Sequence, residues 1–313
     1  MIWWDRDKET MSSVRWAFRC GSWTPSKSEW LFAARCVQRE EKDRIGQFVF
    51  AKDAKSAMAA RLLLRAFLCE KMRIPWSDIR LERSPRGKPY LAAPLKVCSD
   101  SGQAWSFNLS HQGDYAVLAA EQGVQVGVDI MKTTMPGSNS VSEFFRIMTR
   151  QFSEYEWSTI QSAGSEHQQL AAFYRHWALK ESFIKAIGTG LGFNLQRVEF
   201  HLSPEPLTQG RALRHTKMHL DEEEEENWIF EESLLDADHH VAVALGPANK
   251  PGATLCPPAL PPPTTFTLLS FSELITSASP LTEEDPAYWD SFKMKADAPQ
   301  RQRVAHKSTK PPV

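Results

Sequence analysis

The chain has 313 residues, with 37 Lys and Arg against 38 Asp and Glu and a formal net charge of −1. That length supports one large or two ordinary domains around a core that needs no staples, and the balanced charge excludes a protein that coats nucleic acid by bulk electrostatics, leaving only a local basic patch open. The five cysteines, Cys20, Cys36, Cys69, Cys98 and Cys256, are scattered and lack C-x-x-C spacing, which argues against a zinc cluster or disulfide framework and fits a reducing compartment.

The first residues, "MIWWDRDKETMSSVRW", place charges where a signal peptide needs its apolar run, and no apolar run of eighteen occurs in the chain. A soluble cytosolic protein with no membrane and no nucleic acid among its partners is the expectation. Residues 1–13 read as an extension, and Met11 is a second candidate start because patterned sequence begins just after it. From Val14 to Gly246 short β-like runs alternate with helical patterns. "EEKDRIGQF" (40–48) puts Arg44 at the approach to a helix and says little by itself. "DAKSAMAARLLLRAFLCEKM" (53–72) predicts a helix from its three- and four-residue apolar spacing, with Asp53 as its cap.

"RSPRGKPY" (83–90) sets Arg83, Arg86 and Lys88 around a Pro and a Gly, a basic turn suited to a dianionic phosphate or simply to solvent. In "FNLSHQGDY" (107–115), Asn108, Ser110, His111 and Gln112 cluster in what reads as a polar loop before a strand, able to cradle phosphate or serve the fold. "YAVLAAEQGVQVGVDIM" (115–131) predicts a hairpin of two strands about a Glu-Gln-Gly turn. In its second strand Val124, Val126, Val128 and Ile130 share one face, leaving Gln125, Gly127, Asp129 and Met131 on the other. A carboxylate on a stiff strand beside a glycine that leaves room above the backbone suits a hard cation such as Mg²⁺, or marks a strand end reaching water.

"WALKESFIKAIG" (177–188) continues a helix in which Phe173, Trp177, Lys180, Ile184 and Ile187 form an apolar seam, with Glu181 and Lys185 on its flank. As a solvated i,i+4 pair those two contribute only ~0.2–0.5 kcal/mol. The run "DEEEEE" (221–226) reads as a solvated loop between strands. Seven prolines in residues 246–265 mark 247–265 as a linker, 266–293 as a returning strand and short helix, and 294–313 as a mobile tail.

Two motifs in this order, Gly127-Val128-Asp129 on a strand and Trp177-x-x-Lys180-Glu181-Ser182-x-x-Lys185 on a helix, resemble the phosphopantetheinyl transferases of the surfactin-synthetase-activating type. Further likeness runs through "RIGQFVFAKDAK", "GKP" and "NLSHQGDYAVLAAE", and covers roughly residues 14–246. The resemblance implies an α+β fold of two similar α/β subdomains in one chain, 14–121 and 122–246, a pseudo-dimer with its active site in the cleft between them. It implies transfer of the 4′-phosphopantetheine arm of coenzyme A to a serine of an acyl or peptidyl carrier domain, as in fatty acid synthase, by a monomer. Asp129 and Glu181 would hold Mg²⁺ on the pyrophosphate. Arg44, the turn of Arg83, Ser84, Pro85, Arg86, Gly87 and Lys88, and the stretch Asn108, Leu109, Ser110 and His111 would hold the nucleotide and its phosphates. Glu181 would also accept the serine proton and Lys185 would pair with a phosphate oxygen, whereas Trp177 and Lys180 look structural.

Many relatives read Asp-Ile-Glu where this chain has Asp129-Ile130-Met131, so a third metal carboxylate is missing, and a water or Gln112 would take its place. A silent coenzyme A-binding adaptor of carrier proteins is the alternative. Another nucleotide phosphotransferase is disfavoured by the lack of a G-x-x-x-x-G-K-[S/T] loop.

Overall fold

The computed structural model describes residues 13–85, 87, 89–92, 104–248 and 262–297. Arg86, Lys88, the extension before Ser13, most of the proline-rich linker and the end of the tail lie outside them.

The first half starts with β1 (Ser13–Phe18), followed by α1 (Lys27–Arg35), α2 (Arg39–Gly46) and the long α3 (Ala51–Glu70). A two-stranded ribbon, β2 (Leu81–Arg83) with β3 (Pro89–Leu91), leads to β4 (Trp105–Gln112) and β5 (Tyr115–Gln122). The second half runs β6 (Gln125–Lys132), α4 (Val141–Ile147), α5 (Glu154–Gln161), α6 (Glu166–Ile187), the small sheet β7 (Val198–His201), β8 (Lys217–Leu220) and β9 (Glu223–Glu224), then β10 (Ile229–Asp236) and β11 (His239–Gly246).

The two halves repeat one topology. In each, a first strand, a long helix and a late antiparallel hairpin form a sheet whose last strand is central: β1-β5-β4 in the first and β6-β11-β10 in the second. The long helix of each half packs on its sheet, α3 through Leu64, Phe67 and Leu68 and α6 through Leu179 and Phe183. The repeat is in topology and not in sequence, because a packed face specifies apolar character and period, not residue identity.

Residues 115–131 do form two strands, but they are not paired as a hairpin. β5 pairs with β1 and β4, whereas β6 pairs with β11, so the turn after Gln122 carries the chain from one sheet into the other. Gly123, at φ +75°, makes that turn and donates its N–H to Ala104 O at 3.1 Å. The stretch 107–112 is not a loop. It belongs to β4, and the polar residues on its inner face point at β6.

Asp53 does not cap α3 but lies in its first turn. The helix begins at Ala51, and the N–H groups of Ala51 and Lys52 donate to Ala296 O and Asp297 O at 2.8 and 3.1 Å. Those carbonyls belong to the returning segment, in which β12 (Thr267–Leu268) pairs in parallel with β1, followed by α7 (Phe271–Leu274) and α8 (Pro286–Lys293). It seats itself by stacking Phe292 on Trp30 and Phe271 on Trp23, with centroids 3.9 and 5.2 Å apart. The acidic run is a tight turn at Asp221 and Glu222, both at positive φ, that feeds β9.

A buried ion cluster ties the halves together. Arg15 of β1, with no side-chain exposure, meets Glu121 at 2.7 Å and Glu231 of β10 at 2.8 Å. Removing one partner of such a cluster leaves a charge uncompensated, at a cost of ~3–5 kcal/mol. Among the described residues no helix is long and apolar enough to cross a membrane.

Two buried histidines of the second half set an acid limit. Burial pulls His176 down to about 4, and its Nε2 has no partner; His240 is likewise pulled to about 4, by burial and by the charge of Arg175. A histidine held neutral in the fold but free to protonate near pH 6.5 when unfolded stabilises the protein fully above pH 6.5 and progressively less down to pH 4. The loss should be roughly 2–3 kcal/mol for each histidine by pH 4.5. Urea midpoints measured from pH 7 to 4.5 should fall accordingly, His240→Asn should remove part of the fall, and a flat profile would refute the assignment.

Candidate active site between the two halves

The site is assembled where β4 lies along β6. Each inner-face side chain of β4 accepts a backbone N–H of β6: Ser106 Oγ from Val126 at 3.2 Å, Asn108 Oδ1 from Val128 at 3.2 Å, Ser110 Oγ from Ile130 at 3.4 Å and Gln112 Oε1 from Lys132 at 2.6 Å. Side chains thus replace the ladder that backbone pairing of β4 with β6 would have supplied, which explains why residues of low strand propensity occupy a strand. Asn108, Ser110 and Gln112 therefore serve the fold, one of the two duties the sequence left open, but from a strand and not from the loop that was expected. The period-two alternation of polar residues through 106, 108, 110 and 112 was the available signal.

Gly127 brings β6 and α6 into contact. A Cβ at this position would fall 1.9 Å from Ser182 O and 2.5 Å from Ala186 N. The room above this glycine holds the backbone of α6 rather than a cation, a correction to the sequence reading, and it places Glu181 and Lys185 beside Asp129.

Asp129 is 5% exposed. Its Oδ1 accepts from Ser110 Oγ at 2.8 Å and from Lys185 Nζ at 2.5 Å, while its buried Oδ2 has no partner. Lys185 Nζ also reaches Ser110 Oγ at 2.9 Å. Glu181, half-buried one turn earlier, is pushed above the usual carboxylate range by burial and by the charge of Asp129, against the pull of Lys185.

Two cavities meet at this group. A cavity of about 720 Å³ is lined by Gly87, Pro89, Phe107, Asn108 and Leu109 from the first half and by Arg150, Gln151, Trp177, Glu181, Ile184, Lys185, Phe193, Asn194 and Leu195 from the second. One of about 270 Å³ is lined by Ser110, His111, Gln112, Asp129 and Met131. Leu109, Trp177, Glu181 and Lys185 line both. The larger has the size and mixed lining of a small-molecule site.

Arg44 and Arg83 line neither cavity but come together around the buried Glu41. Arg83 grips it through Nε at 2.9 Å and Nη2 at 3.0 Å, Arg44 Nη2 stands at 3.2 Å and Arg61 Nε at 3.3 Å. Burial alone would raise Glu41, yet Arg83, Arg61 and Arg44 hold it below its ordinary range. Three guanidiniums against one carboxylate leave positive charge for an anion. His111 opens onto solvent, yet the protein atoms crowding its ring pull it down, followed by the charges of Lys185, Arg44 and Arg61. The basic cluster thus lies within electrostatic reach of the carboxylate site. Arg83 Nη1 also donates to Gly87 O at 2.8 Å, tying the turn of Ser84, Pro85 and Gly87 to the cluster.

Arg61, Arg150, Gln151, Phe193 and Leu195 were not foreseen. Arg61 stands in a run read only for its apolar spacing. Among the described residues no group of three or more His, Cys, Asp or Glu is arranged to hold a metal ion.

The sequence pattern described as "4'-phosphopantetheinyl transferase, N-terminal" matches residues 21–123, and that of the "4'-phosphopantetheinyl transferase superfamily" matches residues 125–244. The junction of the two matches coincides with the crossing from β5 to β6. The chain is 56% identical over 293 residues to a Xenopus laevis protein named L-aminoadipate-semialdehyde dehydrogenase-phosphopantetheinyl transferase, covering 94% of this chain and 96% of that one. It is 54% identical over 295 residues to the Homo sapiens protein of the same name, covering 93% and 94%. A Thraustochytrium phosphopantetheinyl transferase is 38% identical over 237 residues, covering 74% and 77%. With both halves matched in order across the cleft that holds Asp129, Glu181 and Lys185, this chain belongs to the 4′-phosphopantetheinyl transferase superfamily.

Proposed function

We propose that the protein transfers the 4′-phosphopantetheine arm of coenzyme A to a serine hydroxyl of apo carrier domains. The serine oxygen forms a bond to the phosphorus bearing the pantetheine arm, the pyrophosphate P–O bond breaks, and adenosine 3′,5′-bisphosphate leaves. The observation that carries this reading is the convergence of Asp129, Glu181 and Lys185 where the two cavities meet, with a buried carboxylate oxygen lacking any partner.

That orphan oxygen fits a divalent cation, because a buried carboxylate atom without a donor is costly unless something charged meets it. Mg²⁺ needs only one or two protein carboxylates when phosphates and waters complete its octahedron. Asp129 and Glu181 are the proposed carboxylates. Gln112 lines the same cavity, and its amide oxygen keeps a second lone pair after accepting from Lys132, so it is the proposed donor in place of the carboxylate that Met131 lacks. When bound, the ion neutralises the pyrophosphate as charge gathers on the leaving group.

The chain's own residues do the rest. Glu181 accepts the serine proton, a role favoured by a carboxylate whose proton affinity is raised by burial. Lys185 turns an ammonium proton to a phosphate oxygen, and Ser110 holds Asp129 in place. Arg44, Arg61 and Arg83 receive the nucleotide phosphates together with His111, and Arg86 and Lys88, which lie outside the described residues, are proposed for the same duty from the sequence alone. Both walls and both carboxylates come from one chain, which supports a monomer, and the free thiols of Cys20, Cys36 and Cys69 support a reducing cytosol.

Incubation with coenzyme A, Mg²⁺ and an apo acyl carrier protein should give the phosphopantetheine mass increment on the carrier. Chelation with EDTA should abolish it, and no increment with any divalent ion would overturn the reading.

A further inference from the structure

Lys180 immediately precedes Glu181 yet points away from the carboxylates. It is 1% exposed. Its Nζ stands 2.7 Å from Glu156 Oε2 and donates to the carbonyl oxygens of Gln151 at 3.1 Å, Leu195 at 2.8 Å and Val198 at 2.7 Å. These partners come from four places: α5, the 3-10 turn Thr149–Gln151, the 3-10 turn Leu195–Arg197 and the start of β7. Gln151 and Leu195 line the larger cavity, as do their neighbours Arg150 and Asn194. One ammonium therefore gathers the irregular segments that make one wall of that cavity.

We infer that Lys180 is a positioning residue for coenzyme A: by collecting three carbonyls it sets the wall formed by residues 150–151 and 194–195, against which the pantetheine arm lies. This rests on the phosphopantetheine-transfer reading. The placement of the arm follows from charge. The basic cluster at Glu41 suits the nucleotide phosphates and Asp129 with Glu181 suits the pyrophosphate, so the larger cavity is left for the uncharged arm of amides and methyl groups. Its Phe107, Leu109, Ile184 and Leu195 offer apolar contact, and the side chains of Gln151 and Asn194 supply the amide chemistry. An apolar side chain would fill the volume of Lys180 but could not hold carbonyls, and an ammonium can donate three protons to acceptors spread around it.

The test separates positioning from charge balance. Lys180→Met leaves Glu156 buried without its cation, so a lowered Tm is expected from this variant whatever the role of Lys180. Lys180→Met combined with Glu156→Gln removes both charges; the new amide oxygen can keep the N–H of Phe200, which Glu156 Oε1 accepts at 2.9 Å, while the part-buried N–H of Ser153, which Oε2 accepts at 2.9 Å, is left to water. The double variant should regain part of the lost Tm, while its KM for coenzyme A stays raised by about tenfold or more and its KM for the apo carrier moves less than about twofold. A double variant whose KM for coenzyme A returns to within about twofold of the unaltered protein would overturn the inference; so would equal rises in both KM values. Hydrogen exchange on the unaltered chain is an independent check that needs no variant to fold: coenzyme A should slow exchange at 149–151 and 194–197, and unchanged exchange there overturns the placement of the arm. An unaltered chain that neither binds coenzyme A nor modifies a carrier defeats the functional reading itself, whereas turnover with unshifted variants defeats only the role of Lys180.

Discussion

Glu181→Gln should lower the rate of phosphopantetheine transfer by ~10³-fold or more while leaving coenzyme A binding within about tenfold of the unaltered protein. The substitution is isosteric, so it removes a negative charge and a proton acceptor without opening a void. Loss of a positioned general base costs ~10²–10⁴-fold by itself. No neighbour replaces it: Asp129 Oδ1 is held by Ser110 and Lys185, and its Oδ2 is buried. Binding is spread over a cavity of about 720 Å³, of whose lining Glu181 is one residue among many, and over the arginines around Glu41, which the change does not touch. A titration gives a second reading. In the metal-free protein burial and Asp129 hold Glu181 above the ordinary carboxylate range, so NMR titration without divalent ion should find it there, and Mg²⁺ should pull it down. Initial rates by mass spectrometry and binding by calorimetry decide the matter. Equal activity in the variant would remove Glu181 from the mechanism.

What the sequence made legible divides along a physical line between local pattern and long-range partner. The strands at 115–122 and 125–132 follow from alternation, but their separation into two sheets depends on β1, β4 and β11, which no local window contains. The polar residues 108, 110 and 112 read as a loop because low strand propensity is a local fact, while the β6 N–H groups that they satisfy lie twenty residues further on. Asp53 lost the cap of α3 to carbonyls at 296 and 297, again distant in sequence.

The site shows the same division. The flank position of Glu181 and Lys185 was visible from helical period alone, and the structure brings both to the cavity where Asp129 sits. Periodicity could not say that this flank faces a cleft; that step needed the likeness to a known family. Lys180 was legible as a stem crossing an apolar seam, but the carbonyls at 151, 195 and 198 that occupy its ammonium were not. Buried cations such as Lys180 and Arg61 are the hardest residues to read, because their sequence context is that of the core and their partners come from elsewhere.

The second large effect should come from a methyl group. Gly127→Ala adds a Cβ that would lie 1.9 Å from Ser182 O, 2.5 Å from Ala186 N and 2.9 Å from Ala186 Cβ, so α6 must withdraw from β6 by about 1 Å or more. Gly127 is not among the glycines at positive φ, so steric access and not backbone freedom is the reason for glycine here. Overpacking of this kind costs ~1–3 kcal/mol, or roughly 2–10 °C in Tm for a fold of this size. The catalytic loss should be larger than the stability loss. Ser182 and Ala186 are the direct neighbours of Glu181 and Lys185 on α6, and Asp129 stands two residues from the glycine on the same strand, β6, so the withdrawal falls on the separation between the carboxylates. A displacement of about 1 Å at a reacting centre costs ~10²-fold. Assayed at 20 °C, where the variant is still folded, kcat should drop by about that factor while the affinity for coenzyme A changes far less. If Gly127→Ala kept both its Tm and its turnover, the close approach of α6 to β6 could not be what brings the two carboxylates together.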